Sequence, residues 1–536
     1  MATTLATQLS DEALSAALDE FRSALGPEAV LTSDQEMAEF RDPFSFASWH
    51  EYTGSAAVVP TTVEQVQEVV RIANRHRVPL WTHSQGRNNG YGGPAPRVKG
   101  SVVVSLREMN RVLEINEESA YAVVEPGVRW FDLYDALKAG GHRLMPSIAD
   151  VGWGSVIGNT LDHGVTYLPQ GQDMAAACGM EVVLADGDLL RTGMGAMTDN
   201  RAWHVYKRGL GPMLDQLFMQ SNFGIVTRMG YWLQPWPEVY MPLWLRVWNE
   251  DDLPQVIDVL RELLLDGTVR MVPQVVNTVL LSAVYSSREQ WWQQEGPIPD
   301  EILDKMGREL EIGRWMMRFA LYEDEVVADH KFAKIKRAFE RIPGAEVWGE
   351  KHSPEAIPEL ENPVERVQGG VPSMDLNQMA AWYGGTEGGH VGFSPVAPLT
   401  GSDAVALRDL LRGMIEAAGL DYMAALIPIS ARSFIAVTLI IFDTKDEAQA
   451  RSAYDVAKKL VSEAGKLGYG EYRAHLDFMD LAADQYDFNE HAYRRFTERL
   501  KDSLDPNGIL SPGRHGIWPA SMRGGANGGD GRGART

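Results

Sequence analysis

The chain has 536 residues, 45% of them hydrophobic, enough for two or more domains with ample cores. A formal net charge of −23 argues against nucleic acid or an anionic membrane as partner, because binding phosphate needs a basic surface. The single cysteine, Cys178, excludes an internal disulfide and a cysteine metal cluster, and fits a reducing compartment. Residues 1–26 carry neither a basic head nor an apolar signal core. Instead Leu14, Leu18, Phe21 and Leu25 form an amphipathic helical stripe. No apolar run reaches transmembrane length, so the expected location is the cytoplasm.

Residues 56–60 read as a strand. Residues 61–74 follow with Val63, Val66, Val70 and Ala73 at helical spacing, opened by a Thr61/Glu64 capping box. A second apolar run, 78–81, leads into Thr-His-Ser-Gln-Gly-Arg-Asn-Asn-Gly-Tyr-Gly-Gly at 82–93. Gly86, Gly90, Gly92 and Gly93 allow positive φ and close backbone approach, so N–H groups can converge on an anion. A mere turn has no need of the phenol of Tyr91 among them. The glycines follow the second strand, not the first, and no G-x-x-x-x-G-K-[ST] is present. The unit is therefore neither a Rossmann motif nor a P-loop.

Strand-like runs at 101–105, 121–124 and 181–184 alternate with glycine turns and helices, which reads as α/β. Near Gln234-Pro-Trp-Pro237 the texture changes to longer helical patterns, such as 253–265 and 301–310, and to apolar strands such as 434–442. The expected fold class is α+β with two domains. The first, at 1–236, is a non-Rossmann α/β nucleotide-binding domain. The second, at 237–475, is an α+β cap with an antiparallel sheet, and 476–522 return to the first domain. The Gly/Arg-rich tail, 523–536, is expected to be disordered. Charged runs at 334–341 and 494–501 read as solvated helix faces.

Seven blocks together carry a resemblance. They are 86–93, Val-Glu-Pro-Gly-Val at 124–128, Asp-Val-Gly-Trp-Gly-Ser-Val-Ile-Gly-Asn at 150–159, Ser-Asn-Phe-Gly-Ile-Val-Thr at 221–227, Gly-Gly-His-Val-Gly-Phe-Ser-Pro at 388–395, Gly-Glu-Tyr-Arg at 470–473 and Asp-Pro-Asn-Gly-Ile-Leu at 505–510. In this order, from Phe40 to Trp518, the chain resembles the vanillyl-alcohol oxidase family of FAD enzymes, in particular its bacterial eugenol and 4-alkylphenol oxidase branch. The resemblance implies a cap domain over the flavin. It implies FAD held by Gln85, Gly86, Arg87, Asn88, Asn89, Gly90, Gly92, Pro126, Gly127, Gly154, Ser155, Gly158, Asn159, Gly224, Ile225, Val226 and Arg514. It further implies an 8α-histidyl bond to His390, which makes the flavin a stronger oxidant.

Oxidising a para-alkylphenol or 4-hydroxybenzyl alcohol removes a hydride from the benzylic carbon, and loss of the phenol proton stabilises what remains as a neutral quinone methide. A phenol titrates near pH ~10, so the site must favour its anion. Arg473 supplies a permanent cation, and Tyr91 and Tyr472 supply donors. The family places the matching residues around the phenolate. Tyr167 is expected as a further phenolate contact. Asp150 is expected near the benzylic carbon, as general base for water adding to the quinone methide.

The chain departs from its oxidase relatives at Ala149, where they carry proline before the aspartate. It departs again around 424–432, where Ala425 leaves room for bulkier ring substituents. No H-E-x-x-H, C-x-x-C or G-x-S-x-G is present, and no metal is expected. The reading is an oxidase of para-substituted phenols, 4-hydroxybenzyl alcohols and 4-allyl- and 4-alkyl-methoxyphenols, with lignin-derived methoxyphenols the expected physiological substrates, using dioxygen and releasing hydrogen peroxide, with no nucleic-acid or membrane partner. A homodimer or a dimer-based octamer is what the relatives imply. A dehydrogenase passing electrons to a cytochrome, a 2-hydroxy-acid or sugar oxidoreductase, and a flavoprotein that only binds remain as alternatives.

Overall fold

The computed structural model describes residues 10–45, 52–169 and 173–523. The chain begins as a small α/β layer. Its four-stranded sheet runs Val30–Leu31, Ala56–Val58, Val102–Ser105, Leu80–His83, the last three mutually parallel. Helix Val63–His76 buries Val66, Val69, Val70, Ile72 and Ala73. It starts one residue later than the sequence reading held. Thr62, not Thr61, is the N-cap and accepts from the N–H of Gln65, while the Gln65 side-chain oxygen accepts the Thr61 N–H at 2.7 Å. With two adjacent threonines, the frame of the buried valine stripe decides which one caps.

A five-stranded antiparallel sheet follows, in the order Val112–Asn116, Tyr121–Val124, Ile225–Trp232, Ala177–Val183, Leu189–Arg191. The third sheet is larger and wholly antiparallel. It runs Glu346–Gly349, Val239–Val247, Trp315–Glu323, Gln274–Asn277, Ala424–Ser430, Ser433–Asp443, Gly388–Phe393, with Val396–Pro398 also paired to Ser433–Asp443. Its register aligns Trp348, Trp244, Arg318 and Gln274 in one cross-strand row. The next row on the same face is Glu346, Arg246, Met316, Val276, Ala425 and Val437. Residues paired across strands share a face, so these two rows form one continuous surface.

The chain then returns to its start. Leu80 donates its N–H to Ile509 O at 2.7 Å, and Ser511 donates to Leu80 O at 2.8 Å, which adds residues 509–511 beside the first sheet. This return is anchored by an ion pair with no solvent exposure, Lys501–Asp505 at 2.7 Å. Lys501 also donates to Asn222 O and Leu510 O, and Asp505 accepts from the N–H groups of Ile509 and Leu510. The run 494–501 is therefore not a solvated face throughout. A buried charge persists where partners fill its hydrogen-bonding capacity, and Lys501 is so filled. The run 334–341 does face solvent apart from Ile335 and Phe339. Arg523 is tied to Asp502 at 2.7 Å, and the remainder of the expected tail, 524–536, lies outside the described residues.

Candidate active site

Where the first two sheets meet the C-terminal return, a cavity is lined by Gln85, Gly86, Arg87, Asn88, Tyr91, Pro126, Gly154, Ser155, Gly158, Asn159, Gly224, Ile225, Val226, Arg473 and Arg514. Its polar groups fit an elongated polar ligand. Ser221 Oγ and His83 Nε2 line it and are buried with no hydrogen-bond partner among the described residues. A Cβ on Gly158 would come within 2.3 Å of Ser84 Oγ, so only glycine keeps this wall open. Arg514 is pinned to Asp162 at 2.8 Å. Burial acts to raise the Asp162 pKa, but Arg514, His515 and Arg473 overcome it and hold the carboxyl well below the usual range.

Four of the residues expected to hold the cofactor are not among those lining this cavity. Gly92 and Gly127 are outside the lining. A Cβ at Gly92 would strike Leu476 at 1.9 Å, and one at Gly127 would strike the Arg107 carbonyl at 2.3 Å, so close packing explains both glycines. Gly90 faces His390, whose Nε2 would be 2.4 Å from a Cβ there. Asn89 belongs to the neighbouring pocket.

That neighbour is a pocket of roughly 300 Å³, walled by Leu280, Leu281, Val284, Leu376, Ile427 and Leu439. Arg87, Asn88, Tyr91, Gly154, Asn159 and Arg473 line both cavities, so the two adjoin. At the shared end the Arg473 guanidinium lies 4.1 Å from the Tyr91 ring centre and 5.3 Å from that of Tyr472. The Tyr91 hydroxyl lies 3.5 Å from Ser394 Oγ, and the phenols of Tyr91 and Tyr472 both feel the Arg473 charge. Burial pushes the Tyr472 phenol well above its usual range, with Arg473 opposing it. Arg473 Nε is buried without a partner, and Arg473 makes no ion pair among the described residues. Three residues brought together from opposite ends of the sequence thus leave an unpaired cation and phenolic donors at one spot.

Asp150 lies in the same pocket. Its Oδ1 accepts from Arg318 Nη2 at 2.6 Å, and its Oδ2 accepts from the Tyr167 hydroxyl at 2.6 Å. Gln274 closes the ring of contacts. Its amide donates to the Tyr167 oxygen, and its carbonyl accepts from Arg318 Nε, both at 2.6 Å. Burial works against the Arg318 charge, but Asp150 and Tyr167 outweigh it and keep the guanidinium above its ordinary range. Tyr167 lines the pocket, and its hydroxyl donates to Asp150, which orients it as that carboxylate's partner.

His390 sits on strand Gly388–Phe393, 5.0 Å from the Phe44 ring. Gly392 donates its N–H to Gly90 O at 3.1 Å, which presses this strand against the glycine loop. Burial lowers the His390 pKa to about 4, so the imidazole is neutral near pH 7, and its Nδ1 is buried without a partner.

Three residues of this site escaped the sequence reading. Arg318 was signalled, as the only charge in the apolar run Trp-Met-Met-Arg-Phe-Ala-Leu-Tyr of strand Trp315–Glu323. Gln274 carried no such signal. Glu471, inside the quoted Gly-Glu-Tyr-Arg block, is buried and accepts from the N–H of Ser394 at 3.1 Å and, at 3.4 Å, from that of Arg473. Burial raises its pKa to about 8 despite these bonds.

Comparison with known proteins agrees with this construction. Residues 54–193 match the family described as FAD binding domain, and residues 435–515 match FAD linked oxidases, C-terminal domain. The chain is an FAD-dependent oxidoreductase. The flavoprotein subunit of 4-cresol dehydrogenase (hydroxylating) from Pseudomonas putida is 33% identical over 94% of this chain and 95% of its own. The structure of 4-ethylphenol oxidase from Gulosibacter chungangensis, in complex with isoeugenol, superposes with a TM-score of 0.92 at 39% identity, covering 96% of this chain and 99% of that one. Substrate-bound p-cresol methylhydroxylase gives 0.89 at 33%, covering 95% and 98%. The chain belongs to the vanillyl-alcohol oxidase family.

Proposed function

We propose that this protein is an oxidase of para-substituted phenols, acting on 4-hydroxybenzyl alcohols and on 4-alkyl- and 4-allylphenols. The observation that carries the reading is the unpaired Arg473 between Tyr91 and Tyr472, in an apolar pocket that also holds Asp150. A 2-hydroxy acid would need cations without phenols, and a sugar would need many polar walls.

Arg473, with the hydroxyls of Tyr91 and Tyr472, binds the phenol oxygen and favours its anion, so ring electrons can expel hydride from the benzylic carbon. The residues lining the adjoining cavity would hold FAD, which when bound would supply the hydride acceptor, with dioxygen as the final oxidant. Asp150 then takes a proton from water as its oxygen adds to the benzylic carbon of the quinone methide, which gives a side-chain hydroxylated phenol. With both carboxylate oxygens already accepting strong bonds, Asp150 is fixed in place for that step. A covalent link through His390 is supported by its neutral, unpartnered imidazole and its seat against the glycine loop. Ala425 lines the pocket, which supports acceptance of two methoxy groups on the ring.

Stoichiometric hydrogen peroxide from 4-ethylphenol in air, with no added acceptor, is the expected result. Flavin bleached by substrate under argon but reoxidised only by added cytochrome would assign the dehydrogenase chemistry instead. No bleaching would remove the phenol reading. Acid-precipitated protein should give a yellow pellet in the wild type and a colourless one in His390→Ala. Light scattering should give the mass of a dimer or a multiple of it.

A further inference from the structure

A second, outer cavity of roughly 790 Å³ lies beyond the apolar pocket, on the cap. Trp244 and Leu281 line both cavities and form the partition between them. We infer that this outer chamber is a subsite for the far end of long para substituents, taking phenols whose side chain carries a second ring, with the Trp244 indole as the partition that sets side-chain length.

Three observations support this. The floor is shared. The cross-strand rows that place Arg318, Gln274, Val276, Ala425 and Val437 in the inner pocket continue, on the same sheet face, through Trp244, Met316 and Arg246 to Trp348 in the outer chamber. The two short helices lining both cavities are shared as well. Helix Thr278–Tyr285 gives Leu280 and Val284 to the inner pocket and Tyr285 to the outer, and helix Pro363–Gln368 gives Val364 to the inner and Glu365 to the outer. Finally, the partition is a defined one: Trp244 is buried, and its Nε1 donates to Glu365 Oε1 at 2.7 Å, which fixes the indole between the two cavities. The Trp348 ring, partly exposed in the chamber wall, offers an aromatic face to such a guest.

The inference rests on the phenol reading above, and the test separates the two. The quantity measured is kcat/KM for 4-(2-phenylethyl)phenol divided by kcat/KM for 4-ethylphenol. Trp244→Leu, which opens the partition, should raise this ratio about tenfold. Tyr285→Cys places a thiol at the half-exposed rim, in a chain whose only native cysteine is buried. Its reaction with a bulky maleimide should lower the ratio about tenfold relative to unlabelled Tyr285→Cys, and this comparison stands even if Trp244→Leu fails to fold. A ratio within twofold after labelling, in an enzyme that does oxidise 4-ethylphenol, overturns the subsite. Failure of the wild type to oxidise 4-ethylphenol overturns the phenol reading itself.

Discussion

Two of the arginines that line one pocket have been given opposite surroundings. Arg318 is buried with a carboxylate at 2.6 Å, an amide at 2.6 Å and the Tyr167 ring 4.5 Å away. Arg473 has tyrosine rings and hydroxyls but, among the described residues, no carboxylate in salt-bridge reach. The buried carboxyl nearest it in sequence, Glu471, turns to backbone N–H groups instead. A guanidinium neutralised by a carboxylate of the fold contributes geometry. One left short of an anion is reserved for an anionic ligand, here the phenolate oxygen.

Arg473→Met tests this contrast most severely. The rate of flavin reduction by 4-ethylphenol, followed by stopped-flow absorbance, should fall about 10²- to 10³-fold, the usual cost of losing a group aimed at developing charge. Denaturant midpoints should move far less than in Arg318→Met, because no carboxylate is stranded. Arg318→Met should behave in reverse. Stability should fall by about 3–5 kcal/mol in urea titrations, as when one partner of a buried pair is removed. Equal stability losses in the two variants would break the comparison.

Tyr167→Phe should cost about tenfold in kcat with little change in KM. One hydrogen bond to a charged group is worth about 1.5–3 kcal/mol, and Arg318 still holds the carboxylate. A loss as large as that of Arg473→Met would return Tyr167 to the phenolate. The smallest effect is expected at Glu471. Its folded pKa, about 8, lies above its ordinary value, so the folded state binds the extra proton. Its contribution to stability is complete at acid pH and declines as pH rises toward 8. Glu471→Gln should flatten that decline in thermal melts across the same range, with catalysis altered only slightly.

Much of this was legible in the sequence because it is written in rare residue combinations. A tyrosine inside a glycine loop, a Tyr-Arg pair and a histidine between glycines have few other uses together, and Tyr91, Tyr472, Arg473 and His390 do converge near the two cavities. The Asp150 support was harder to read. A tyrosine hydroxyl can serve either end of a pocket, and only the sheet register, which sets Gln274 opposite Arg318, decides that Tyr167 serves the carboxylate. Lys501 was misread for a related reason. A lysine among charges looks solvated until the chain folds back and sets Asn222 and Leu510 carbonyls against it. Gly92 and Gly127 show the same limit, since glycine is demanded equally by a ligand and by a neighbouring side chain or carbonyl.

The pairing of Leu80 with residues 509–511 has a consequence for how the protein is made. Leu510, Ser511, Arg514 and His515 are walls of the same cavity as Gln85 and Gly86, more than 400 positions earlier. Domains ordinarily fold as they leave the ribosome, N-terminal part first, but this cavity stays open on one side until almost the whole chain exists. Flavin capture is thus a late event in synthesis. A ribosome stalled before residue 500 should display a partly built sheet that cannot retain the cofactor.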